Sequence, residues 1–459
     1  SSTASVRVSL GGSGGGGGNS GDITITNDGS IITTGSTGIG LMALAIGGGG
    51  GDVGSTRDAL SLGASGGNGG NAGDITITNN GSIETYGEGS YGVVAKSIGG
   101  GGGGATASVN EGTISLGGSG GAGGDSGNVV LTNTGNIATY GPSSIPVYLH
   151  SIGGGGGDAQ SGFGDAVLGS NGADGQSGTT RLINTGTLVS NDQFSPAILY
   201  QAIGGGGGSL DSANGTVALG SRNAEGVQSG QAMSLVNRGT LVTLADYSPT
   251  MFTQSIGGGG GRVAQTRGGA VSLGSVSGSS SADLSGADIN IQSNGDQLIT
   301  RGEFSPAISA QSIGGGGGWV GPVEGDLQLG AINSTSAMNG GAITVTNNAE
   351  IITTGNTSAG ITLQSLGGGG GYTGAVSGDA QMGSLASSGA QNADAVTLTN
   401  TASILSTGNF SPLVNVQSIG GGGGRAGSID GTLNLGAIDL LGTANAGDVS
   451  VTLSGAALT

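Results

Sequence analysis

The sequence predicts an all-β protein, a parallel β-solenoid (β-helix) of repeats of about 53 residues with stacked glycine-rich segments and essentially no helix. Three observations carry that prediction: a marker that returns at a nearly fixed interval, short stretches in which apolar and polar residues alternate, and a glycine content of 111 in 459 residues.

The marker is an aliphatic residue followed by five or six glycines. It falls at Ile46, Ile98, Ile152, Ile203, Ile256, Ile313, Leu366 and Ile419. A second marker, an apolar residue before glycine, keeps step at Leu10, Leu62, Leu116, Leu168, Leu219, Leu273, Leu329, Met382 and Leu435. Residues 1–459 therefore divide into one continuous array: eight complete repeats whose glycine runs end near 51, 104, 157, 208, 261, 318, 371 and 424, and a partial ninth over 425–459.

Within each repeat four extended stretches are expected, typified by Gly-Thr-Ile-Ser-Leu-Gly, Asp-Ile-Thr-Ile-Thr-Asn, Gly-Ser-Ile-Glu-Thr-Tyr-Gly and Ser-Pro-Ala-Ile-x-x-Gln-Ser-Ile. Alternation with period two, bounded by Gly, Asn or Pro, marks half-buried strands. No segment carries a sustained 3.6-residue pattern, and glycine costs ~1 kcal/mol inside a helix. One repeat cannot bury its own apolar stripe, whereas parallel stacking in register buries the same columns along the whole array. Each repeat is expected to form either one wide coil or two stacked coils. The second is favoured because a single circuit would be very wide, and a ~4.8 Å coil spacing then gives a rod of ~80 Å rather than ~40 Å.

Stacking turns recurrent polar residues into columns. An Asn ladder is expected at Asn27, Asn79, Asn133, Asn184, Asn237, Asn347 and Asn400, with Ser293 in the sixth repeat. Amides buried in this way satisfy one another from coil to coil. A hydroxyl column at Thr33, Thr85, Thr139, Ser190, Thr243, Thr300, Thr353 and Ser406 is expected to behave likewise. So is a Gln column at Gln201, Gln254, Gln311, Gln364 and Gln417, where Lys96 and His150 take the same place in earlier repeats. Five consecutive positions that exclude every side chain imply either backbones too close for a Cβ or positive φ. The glycine run is read as ordered, resembling a polyproline-II three-fold helix, with a flexible loop as the alternative.

Charge and composition exclude several functions. Net charge is -18, with ten Lys and Arg against 28 Asp and Glu, so no basic surface exists for nucleic acid or anionic lipid. No apolar run is long enough to span a membrane as a helix, so no membrane contact by this segment is expected. Cysteine is absent, which removes disulfides and thiol chemistry. Mean hydropathy of +0.10 and abundant β-branched residues argue against disorder.

The repeated Gln-Ser-Ile-Gly-Gly-Gly-Gly-Gly, joined to an upstream Thr-Asn-x-Gly-x-Ile-x-Thr-x-Gly, resembles the passenger repeats of large proteobacterial autotransporters and related surface proteins tethered by an outer-membrane β-barrel. The likeness spans essentially the whole chain, is clearest over residues 132–157, 311–318 and 417–424, and departs at Ala349 and Ala402. It implies export, a parallel β-helical passenger and a C-terminal barrel beyond the present residues. The expected function is a stalk or fibre segment of a bacterial cell-surface or secreted protein, with adhesion as an added role. A subunit of a self-assembling extracellular filament and a β-helical polysaccharide-active enzyme are the alternatives. Both ends read as interior repeats, so the expected partners are further repeats or copies of the chain end to end.

No catalytic, cofactor-binding or metal-ligating set is expected. Glu88, Asp246 and Glu303 share one turn position, where solvated acids are the simpler reading than a carboxylate pair. Phe194, Tyr247, Phe304 and Phe410 form an aromatic column read as a packing ladder, with a strip contacting host or matrix glycans as the other reading. Gly120 to Asp125 resembles one turn of a calcium-binding nonapeptide, without tandem copies, so no cofactor is assigned and calcium is the sole ion considered.

Overall fold

The computed structural model describes residues 8–10, 17–48, 51–53, 60–62, 68–100, 103–105, 114–116, 123–159, 164–169, 171–173, 175–220, 222–224, 226–276 and 282–455. Among them every regular element is a strand. The first repeat contributes β1 (Val8–Leu10), β2 (Ile23–Asn27), β3 (Ile31–Thr33), β4 (Leu41–Ile46) and β5 (Gly51–Val53), and the same five positions recur along the chain. Each position builds its own long parallel sheet, nine strands for β1 and β2 and eight for β3 and β4.

Register settles the coil. Asn133 pairs with Asn79 and Asn184, and Gln254 pairs with Gln201 and Gln311, so each strand lies on its own copy one full repeat away. There is one coil per repeat, and the expected pair of stacked half-coils is not formed. Eight steps of ~4.8 Å give a stack of ~40 Å.

A circuit this wide avoids a hollow centre because the chain pinches it into two lobes within one layer. The β2, β3 and β4 strands enclose the larger lobe, whose core in the second coil holds Ile75, Ile77, Ile83, Val93 and Ala95. The β5 strand and the following β1 strand enclose the smaller lobe, filled by Leu210, Ala213, Val217 and Leu219 in one circuit. Strand β4 closes the larger lobe, and its far side packs against β5, beyond which the smaller core lies. Along Ile198–Ile203, Ile198, Tyr200 and Ala202 face the larger core, while Leu199 and Ile203 join two further clusters on the opposite side. Alternate side chains of one strand therefore serve two cores, and all six residues are buried.

The glycine run forms the neck. Its second residue donates to a carbonyl just ahead of β2 in the same repeat: Gly100 N to Gly70 O at 3.0 Å, Gly205 N to Gly175 O at 3.1 Å, and Gly258 N to Gln228 O at 3.0 Å. Across Gly204–Gly208, φ is +82°, +81°, +133° and +142° from the second residue onward. A Cβ on Gly207 would stand 2.0 Å from Gly260 O, and one on Gly208 1.7 Å from Gly157 O. The run is ordered, yet positive φ is incompatible with polyproline II, where φ is about −75°. Its last two glycines already belong to β5, a fifth strand the alternation pattern did not reveal, because glycine carries no polar or apolar signature.

Candidate functional site

Polar side chains are spent on joining coils. Along the Asn column, Asn27 Nδ2 donates to Asn79 Oδ1, Asn79 to Asn133 and Asn133 to Asn184, each at 2.7 Å, and Asn184 donates to Asn237 at 2.8 Å. Each Nδ2 also donates to the carbonyl two residues on, as Asn133 does to Gly135 O at 2.8 Å. The ladder stops at Ser293, whose buried hydroxyl finds no protein partner, and resumes with Asn347 to Asn400 at 2.7 Å. On the far side of β4, Gln201, Gln254, Gln311, Gln364 and Gln417 are linked Nε2 to Oε1 at 2.5 to 2.7 Å.

The column of Thr33, Thr85 and Thr139 is in register but forms no ladder. Each hydroxyl instead donates within its own turn, Thr33 to Gly38 O at 3.0 Å, Thr85 to Ser90 O at 2.5 Å and Thr139 to Ser144 O at 2.6 Å. A hydroxyl has one proton to give, and here a carbonyl of the same turn takes it, whereas a carboxamide has two donors and can serve its own turn and the next coil together. Farther along, the hydroxyls of Ser190, Thr243, Thr300 and Thr353 are buried without a protein partner.

A serine column does what the threonines do not. The backbone N–H of Ser90 donates to Ser144 Oγ, Ser144 to Ser195, Ser195 to Ser248, Ser248 to Ser305, Ser305 to Ser358 and Ser358 to Ser411, all at 2.9 to 3.0 Å. The recurrent Ser-Pro pairs were its signal in the sequence. The residue before each serine sits at a left-handed corner, with φ of 56° at Phe194, 55° at Tyr247 and 52° at Phe304.

Those corner aromatics form a stack. Phe194 and Tyr247 lie 5.1 Å apart at 13°, and Tyr247 and Phe304 lie 5.1 Å apart at 4°. Their edges meet Trp319 of the small lobe, at 6.4 Å from Phe194 and 6.2 Å from Tyr247. Stacking sugars on an aromatic requires its ring face. Here neighbouring rings cover the faces, so Tyr247 has neither face open. Phe410 stands apart, separated from the stack by Thr357, and is 89% exposed.

The seam between the lobes holds the buried charges. Arg262, 1% exposed, pairs with Asp211 at 2.9 Å, donates to Phe194 O at 2.7 Å and lies 5.3 Å from the Trp319 ring. Tyr91 donates to the same carboxylate at 3.3 Å. Burial, then Asp211, holds the Tyr91 hydroxyl well above its usual range, and it stays protonated. Lys96 Nζ sits 4.4 Å over the Tyr148 ring, and His150 meets that ring edge-on at 4.4 Å. Burial, then the charge of Lys96, pushes His150 well below its ordinary value, so the imidazole is neutral. His150 is in register with Lys96 and Gln201, a rung of the same column.

The acids are likewise engaged. Asp246 Oδ1 accepts the backbone N–H of Glu303 at 2.7 Å, and Glu303 Oε1 accepts from Asn356 Nδ2 at 2.8 Å. Asp125 Oδ1 accepts from Gln176 N at 2.9 Å, as Asp74 does from Asn128 N and Asp326 from Asp379 N. The rest of the nonapeptide-like stretch, Gly120 to Ala122, lies outside the described residues. Among the described residues no three His, Asp or Glu side chains converge as a metal site. No family model, curated protein or solved structure matches this chain.

Proposed function

We propose that this chain is a structural stalk or fibre segment of a bacterial cell-surface or secreted protein. One observation carries the reading: side-chain carboxamides, carboxylates and serine hydroxyls are used again and again to bind one coil to the next. Such a chemistry suits a body that must persist and transmit force rather than one that turns over a substrate. The resemblance of the Gln-Ser-Ile-Gly repeats to autotransporter passengers supports an exterior location. So does the lack of cysteine, which is compatible with passage through a membrane pore as an unfolded chain.

The test is topological. Brief protease treatment of intact producing cells, followed by immunogold labelling against this chain, should remove and decorate material outside the outer membrane. Recovery of the whole antigen from the cytosol, protected until lysis, would overturn the reading.

A further inference from the structure

The stack of corner rings skips one rung. Phe194, Tyr247 and Phe304 follow one another at 5.1 Å, Thr357 then takes the corner of the seventh coil, and Phe410 returns at the next. Hydrogen bonds from Phe304 N to Asn356 O at 3.0 Å and from Thr357 N to Asn409 O at 2.8 Å hold the three corners in register. φ is 52° at Phe304, 58° at Thr357 and 54° at Phe410, so the three side chains leave the backbone in the same direction. Two steps of the stack set the Phe304 and Phe410 rings ~10 Å apart, which leaves room for one flat ring ~5 Å from each, an ordinary stacking distance. Tyr247 covers one face of Phe304. Among the described residues no ring lies against its other face, or against Phe410.

The seam brings a charge to the same corner. Arg262 donates to Phe194 O, where the stack begins, and Arg425 donates to Thr357 O at 2.9 Å, an equal 68 residues back. Each guanidinium lies over an aromatic ring of the seam, Trp319 for Arg262 and Tyr372 for Arg425, the latter at 5.8 Å. Their counter-charges differ. Arg262 pairs with Asp211, which stands two residues beyond Ser209, its register partner on the preceding coil. Two residues beyond Tyr372, the register partner of Arg425, the chain carries Gly374. No carboxylate among the described residues pairs with Arg425, which is half-buried and has N–H groups left to give. The missing ring and the unmatched guanidinium meet at Thr357.

From this coincidence we propose that the corner of the seventh coil is a binding slot for an aromatic carboxylate. The ring enters between Phe304 and Phe410 as the absent rung, and the carboxylate accepts from Arg425 in place of an internal acid. A free aromatic acid and the C-terminal aromatic residue of a polypeptide present the same group. The slot is open to solvent and covers a single ring, so binding is weak, with a Kd on the order of 0.1–1 mM.

Saturation-transfer NMR and calorimetric titration of the whole chain with N-acetyltryptophan should show one saturable site in that range. The amide of the same compound, which has no carboxylate, should bind about tenfold more weakly. Thr357→Phe carries the stack through the gap at a φ that Phe304 and Phe410 already adopt, so it should abolish binding while the melting transition holds or rises. Phe410→Ala removes one wall at the surface and should weaken binding about fivefold or more, with circular dichroism unchanged. A short peptide ending in tryptophan separates the two sources: affinity about tenfold above that of N-acetyltryptophan assigns a chain terminus, and affinity no better assigns a free acid. No saturation by about 10 mM overturns the inference, as do acid and amide binding alike, glucuronate binding as well as the aromatic acid, or a Thr357→Phe variant that binds unchanged.

Discussion

Replacing Ser293 with Asn should mend the one interior break in the asparagine ladder. Ser293 lies in register between Asn237 and Asn347, and its hydroxyl is buried and unpaired. Gly295 follows it as Gly239 follows Asn237, and sits equally close on the coil beneath, with a Cβ placed there 2.1 Å from Gly239 O. The backbone is therefore already shaped for the motif. An amide at 293 would accept from Asn237 Nδ2 and donate to Asn347 Oδ1 and Gly295 O. Three buried bonds at ~1 kcal/mol net each, less ~1 kcal/mol for fixing the longer side chain, leave a gain of about 1–2 kcal/mol. In a repeat array local opening is the quantity to follow. Native-state hydrogen exchange of amides around 237, 293 and 347 should slow about tenfold, while those near Asn27 stay as they were. Ser293→Ala, which only removes an unsatisfied hydroxyl, should change exchange little. If Ser293→Asn speeds local exchange, or does no more than alanine, the ladder is not what binds these coils.

Three other outcomes are expected. Asn133→Ala removes two rungs and the bond to Gly135, and should cost about 2–4 kcal/mol in urea unfolding, several times the effect at an exposed asparagine such as Asn80. Gly207→Ala drives a Cβ into Gly260 O at a φ of +133°, so soluble yield and the melting transition should both collapse, whereas alanine at Gly18, which meets nothing within 4 Å, should be tolerated. Because His150 is held neutral in the fold but titrates near pH 6.5 when unfolded, the unfolded chain gains the extra proton on acidification. Stability then falls below pH ~6.5 by up to ~1.4 kcal/mol per unit, and His150→Gln, which continues the glutamine column, should flatten that slope in denaturant titrations at pH 5 to 7.

The stack and its register were legible because periodicity writes them directly: Ile46 to Ile419 fix the copies, and the Asn and Gln columns declare which polar atoms meet. The pinch was not legible. Nothing in a row of glycines says that the second one donates across the circuit to Gly70 or Gln228, since a hydrogen bond between distant backbones leaves no side-chain pattern. The β5 strand was hidden for the same cause. Threonine at 33, 85 and 139 suggested a ladder because recurrence does not say that a carbonyl of the same turn will take the hydroxyl proton first. Ser209 and Trp319 take the place of Arg262 in the adjacent coils, so repetition could not announce its pair with Asp211, and only folding brings residues 51 positions apart onto neighbouring coils beneath Trp319.

The waist made by the glycines has a mechanical meaning. A single round tube of this perimeter would ovalise under a sideways load, as a drinking straw does. Two packed barrels joined along a filled seam place solid matter away from the central plane and tie it there, as a girder does. Flexure in the plane of the two barrels should meet more resistance than flexure across it, so the body has a hard and an easy direction before any neighbour touches it.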